Sequence, residues 1–177
     1  MQTSTGSQDV RPGSSKGRVV TILLWLALCT GWLVSIFSVI QEMCMVSACR
    51  DTASFTIFGF NMGWFGIAYF SLVLIVLWQR TRYHRLDLLL SVLVFSGIGA
   101  EFRLLWIQKF IIGGWCPLCV TICCALFVAA LLLVIEKATG NMPRQGGRTS
   151  LSGWMVLVAV ALATGLAVAA LGVKALY

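Results

Sequence analysis

Apolar residues in this chain fall into five long runs, at about 19–40, 62–78, 86–107, 117–135 and 153–173, with short polar stretches between them. The runs are continuous rather than alternating, which predicts buried or lipid-facing helices instead of half-exposed strands. An open sheet also cannot satisfy its edge groups in lipid. Crossing the hydrocarbon core takes about 20 apolar residues as helix, and the second run is the shortest. Phe58-Gly59-Phe60-Asn61 is expected to lead into it along the interface. The pattern therefore predicts an all-α integral membrane protein: a four-helix transmembrane bundle plus a fifth transmembrane helix. Residues 1–17 are expected to form a disordered cytoplasmic tail, 18–136 the bundle, 137–150 a cytoplasmic loop and 151–177 the fifth helix. The first run follows Arg11, Lys16 and Arg18, as a signal peptide would. It is too long for one and lacks a small-residue cleavage site, so it is expected to stay as a helix.

Composition agrees with the pattern. The chain has 177 residues, 59% hydrophobic and 11% charged, with mean hydropathy +0.94; soluble domains carry about 25% charged residues. The net charge of +7 is distributed unevenly. Arg11, Lys16 and Arg18 precede the first run. Arg80, Arg82, His84 and Arg85 lie between the second and third, and Lys137, Arg144 and Arg148 follow the fourth. The alternate loops hold only Arg50 and Lys109, with Lys174 near the end. The positive-inside bias then predicts the N-terminus in the cytoplasm and the C-terminus outside. No cluster of cations interleaved with aromatics is present, so nucleic acid is not an expected partner; membrane lipid is.

Seven cysteines bring chemistry into view. In this topology Cys44 and Cys49 occupy the first outer loop, and Cys116 and Cys119 the outer mouth of the fourth helix. Both pairs then face the oxidising side, where disulfides persist. Pro117 suits the first position of a helix, which makes Cys116 the N-cap. Helix-end amides stabilise a thiolate at such a position. The C-x-x-C spacing sets the two sulfurs one turn apart on one face, as a reversible disulfide requires. The Cys44 pair, in a loop, can exchange with a soluble partner or act as a staple. Structural disulfides, and a metal site shared by the four cysteines, are the other readings. No His lies near either pair, and no metal is expected. Cys123 lies one turn deeper than Cys119 on the same face, as packing or as a pocket wall. Cys29 and Cys124 are expected to be inert.

The order of these features resembles the vitamin K epoxide reductase family in its bacterial branch. The resemblance covers roughly 19–136. It rests on the loop cysteine pair, on Ser54, Phe58-Gly59-Phe60-Asn61, Phe65-Gly66 and Tyr69, and on Gly-Gly-Trp-Cys-Pro-Leu-Cys ending at Cys119. DsbB proteins carry the same two kinds of pair in the reverse order. The resemblance implies a membrane thiol–quinone oxidoreductase that reoxidises a periplasmic thioredoxin-like or DsbA-like protein and supports disulfide formation in exported proteins. Cys44 would exchange with the partner, Cys49 would pass electrons to Cys116, and Cys119 would face a quinone, ubiquinone or menaquinone. Asn61 and Cys123 would line the quinone site, although Asn61 equally suits the N-cap of the second helix. Ser54 would match a family hydroxyl near the loop, or serve as a turn residue. Cys123 stands where animal members have a quinone-side Tyr, which argues against vitamin K epoxide as substrate. Many bacterial members add a thioredoxin-like domain after the fifth helix; none is seen here, so the partner is expected to be a separate protein. The implied location is the bacterial inner membrane.

Two alternatives use the same residues differently. One is a membrane protein that binds or transports a soft metal ion through cysteine ligands. The other is a non-enzymatic scaffold with stapled loops. Glu101 and Arg103 sit in the outer third of the third run. They either snorkel to the headgroups or give polar support to the redox pocket, as an ion pair or a proton route. Trp64, Trp106 and Trp115 are expected in the aromatic belt, and Trp115 could also wall the quinone. The Ala- and Gly-rich fifth run reads as a packing or dimer helix.

Overall fold

A computed structural model describes residues 15–43, 55–57, 60–80, 82–83, 86–138 and 151–175. Five helices follow in order: α1 (Ser15–Met43), α2 (Met62–Gln79), α3 (Leu86–Ile107), α4 (Pro117–Ala138) and α5 (Leu151–Gly172). Each coincides with one apolar run. α1 begins earlier than its run, inside the segment expected to be a tail. α1, α3, α4 and α5 are long and apolar enough to cross a membrane, while α2 is shorter. Together they form an all-α membrane bundle.

Helices successive in the chain run antiparallel. Trp32 Nε1 on α1 donates to Ser71 Oγ on α2 at 3.0 Å, and Tyr69 O–H on α2 donates to the Leu93 carbonyl of α3 at 2.8 Å. α4 returns against both α3 and α1, so α1 to α4 close a ring. Leu24, Leu28, Phe70, Val73, Leu90, Val94, Leu126 and Leu133 fill its centre. Outward-facing Leu26, Leu33, Ile75, Leu131 and Val160 are exposed, as lipid-facing side chains must be.

α5 packs mainly on the outside of α3, as the small-residue pattern suggested. A Cβ on Gly165 would collide with the Ser96 carbonyl, and one on Gly99 with that of Leu162. Only glycine lets the two backbones approach this closely. The Phe95 and Trp154 rings meet edge to face at 5.9 Å above that contact.

Three short strands cap one end of the bundle, a feature the apolar runs do not reveal. β1 (Phe55–Ile57) pairs antiparallel with β2 (Phe60–Asn61) and with β3 (Val173–Ala175), in the order β2-β1-β3. The register sets Phe55 against Ala175 and Thr56 against Asn61. The Phe60–Asn61 segment leads directly into α2, as expected, and does so as a short strand. The C-terminal strand also brings the end of α5 to the loop between α1 and α2, at the same end of the bundle as the start of α4.

Candidate functional site

The start of α4 is built around Cys116. Its carbonyl accepts the Val120 N–H at 3.1 Å, the first bond of the helix, so Cys116 occupies the N-cap position and Pro117 opens the helix, as expected. Its own N–H donates to Gln108 Oε1 at 3.4 Å. Gln108 comes from a π-helical turn, Gln108–Ile112, that extends α3. The turn ends at Gly113, whose φ of 75° is left-handed and favours glycine. The Gly114 N–H also donates to the Gln108 carbonyl, at 3.2 Å. Gln108 is 1% exposed and thus holds the α3–α4 corner from both its backbone and its side chain. Nothing in the apolar pattern singled it out. The cue was a lone amide seven residues beyond Glu101, hence on the same helical face.

Cys116 and Cys119 carry thiols close enough to interact with each other, as C-x-x-C at a helix start should be. Cys116 is the more enclosed of the two; Cys119 is half-buried. The Gln108 carboxamide lies beside the Cys119 sulfur, although its Nε2 makes no well-formed hydrogen bond. Cys123, one turn deeper, is buried on the same seam, and Cys124 faces outward. The seam runs Cys116, Cys119, Cys123, Leu126, Ala130, Leu133 along α4, at helical spacing.

α3 presents a matching seam. A Cβ on Gly97 would press against the Leu126 methyl and collide with the Tyr69 hydroxyl, so Gly97 lies opposite Leu126, just as Gln108 lies opposite Cys116. In an antiparallel pair those two contacts fix the register between them. Glu101 therefore stands level with Cys123, one turn below Cys119. It is close enough to interact electrostatically with Tyr69, Cys116, Cys119 and Cys123. Its Oε2 is buried and accepts no hydrogen bond. The carboxyl oxygen thus faces the interior of the bundle rather than its outer surface. Arg103, two residues on, points elsewhere, with its guanidinium 4.7 Å from the Trp106 ring centre.

The rim is aromatic. Trp64, Trp106 and Trp115 are all exposed, as belt residues would be, and Lys109 Nζ lies 5.7 Å from the Trp115 ring centre. Cys44, Cys49 and Ser54 lie outside the described residues. Asn61 is described only as backbone: it pairs with Thr56 and immediately precedes α2. What the sheet does establish is that the chain following the loop cysteines returns to the Cys116 end.

The opposite end of the bundle holds the other buried charges. Arg80, just past α2, bridges Asp87 in the first turn of α3 and Glu136 in the last turn of α4. All three are largely buried. Arg80, counted above among the cytoplasmic cations, is therefore committed to an ion cluster. Among the described residues, no three His, Cys, Asp or Glu side chains are arranged to hold a metal ion.

Compared with family models, with curated proteins and with solved structures, the chain has no match in any of the three.

Proposed function

We propose that this chain is a membrane thiol–quinone oxidoreductase, as its resemblance to the vitamin K epoxide reductase family suggests. The observation that carries the reading is the Cys116–Cys119 pair of neighbouring thiols at the start of a membrane helix, with Cys116 at its N-cap, and with Gln108 and Glu101 on the facing helix. A dithiol at this position can be oxidised to a disulfide by a mobile lipid-soluble acceptor from the membrane side and reduced by another dithiol from the water side. The sheet supports the second half, because it ties the segment after Cys44 and Cys49 to this end of the bundle.

The cycle balances. A reduced thioredoxin-like or DsbA-like protein gives two electrons to a Cys44–Cys49 disulfide and leaves oxidised. The Cys44–Cys49 dithiol reduces the Cys116–Cys119 disulfide. That dithiol reduces ubiquinone or menaquinone to the hydroquinone. Catalytic disulfides have potentials of about −120 to −270 mV, so a higher-potential quinone draws the electrons downhill. Asn61 and Cys123 would flank the quinone. In a bacterial inner membrane, with the N-terminus cytoplasmic and the C-terminus outside, the reaction would supply disulfides to exported proteins.

A Cys49→Ala variant should accumulate a mixed disulfide between Cys44 and a soluble thioredoxin-like protein, visible on a non-reducing gel. Wild-type protein in liposomes containing ubiquinone or menaquinone should turn over a dithiol donor with stoichiometric quinol. Absence of both adduct and quinol would overturn the reading.

A further inference from the structure

Disulfide formation from two thiols releases two protons, and quinone reduction takes up two. Between the dithiol and the membrane interior, the described side chains include a single carboxyl, Glu101. Asp87 and Glu136 lie at the far end, paired with Arg80. The Tyr69 hydroxyl, which faces the same space from α2, spends its proton on the Leu93 carbonyl. Gln108 has no acidic proton. α5 contributes no titratable side chain. Glu101 lies level with Cys123, one turn below Cys119, and its Oε2 is buried yet accepts no hydrogen bond. It makes no ion pair among the described residues, and Arg103 on the same helix turns to Trp106. A buried carboxylate lacking both is costly, and a protonated one is a ready donor. Packing alone would place an apolar residue at this point of the seam.

We propose that Glu101 is the proton carrier of the site, moving a proton from the Cys116–Cys119 dithiol to the quinone. The proposal rests on the thiol–quinone reading above. As the S–S bond forms, the two electrons of the dithiol pass to the quinone. Glu101, protonated at the outset, gives its proton to one quinone oxygen, and the resulting carboxylate takes one thiol proton. The second thiol proton leaves to water at the rim, and a water proton completes the hydroquinone. Glu101 ends as it began.

The test uses the full chain in liposomes, with quinol formation followed after a dithiol pulse. Glu101→Gln keeps the shape but cannot carry the proton. Quinone reduction should fall about 100-fold, the scale of general acid–base catalysis, and its pH profile should lose the limb present in the wild type. Reduction of the Cys116–Cys119 disulfide by the donor, read by thiol labelling, should stay unchanged. Glu101→Asp should recover part of the rate. Should the amide variant fail to fold, Glu101→Ala with added formate serves instead, and rescue by this small acid is expected. Wild-type rates and pH profile in Glu101→Gln, or a slow Glu101→Ala that formate does not rescue, would overturn the proton carrier. A wild-type protein that forms no quinol would instead overturn the thiol–quinone reading itself.

Discussion

The two ends of the bundle bury polar groups in different company, one with ion pairs and one without. At the Arg80 end, one guanidinium bridges two carboxylates from different helices, and the charges are held by each other. At the Cys116 end, Glu101 Oε2 and Gln108 Nε2 are buried with no hydrogen bond, as Arg80 Nη1 is at the other, but among the described residues Glu101 makes no ion pair and lies near the Cys116 and Cys119 thiols. Both arrangements are expensive in a low-dielectric interior. The first carries its own counter-charges and clamps α2, α3 and α4. The second leaves Glu101 without an ion pair among the described residues, and the site proposed above rests on that difference.

Four substitutions press on this contrast. Cys119→Ala should have the largest effect, lowering quinone reduction to background while leaving the melting behaviour of the bundle unchanged. Retained quinone reduction would mean that the Cys116 end is not the reactive one. Arg80→Met should do the reverse. Removing the cation that both carboxylates share should cost about 3–5 kcal/mol, read by detergent or thermal unfolding, with dithiol-to-quinone turnover intact in the fraction that folds. A silent Arg80→Met would show that the cluster does not clamp the helices. Gln108→Ala removes the acceptor of the Cys116 N–H. It should cost about 1–2 kcal/mol and also slow turnover, because the thiol it positions loses its fixed geometry; stability loss at full activity would reduce Gln108 to a corner brace. Tyr69→Phe should show the smallest change. The lost bond to Leu93 is worth about 1 kcal/mol, and quinone reduction should hold its rate; a large drop would assign proton transfer to Tyr69 in place of Glu101.

Much of the architecture was legible along the chain because it depends on local composition. Pro117 after Cys116 marks a helix start whatever surrounds it, and the structure bears that out in the bond from Val120. The small residues of α5 pointed to close packing, and Gly165 against Ser96 provides it. Other features depend on distant partners. The pairing of Phe55 with Ala175 has no signature in a three-residue strand. The direction of Glu101 is a matter of helix rotation, which two residues, Glu101 and Arg103, close together on one turn, left open. Arg80 read as one more cytoplasmic cation, since a count of charges carries no information about what a guanidinium touches.

The order of residues alone determined that this is a bundle of membrane helices with a C-x-x-C pair at one helix mouth, because hydropathy and capping act over a few turns. The ring of four helices, the sheet that ties the C-terminal strand to the first loop, the ion cluster and the inward carboxyl were decided only by tertiary structure. Each arises where segments far apart in the chain meet, and there the register of packed helices selects which side chains share a buried space.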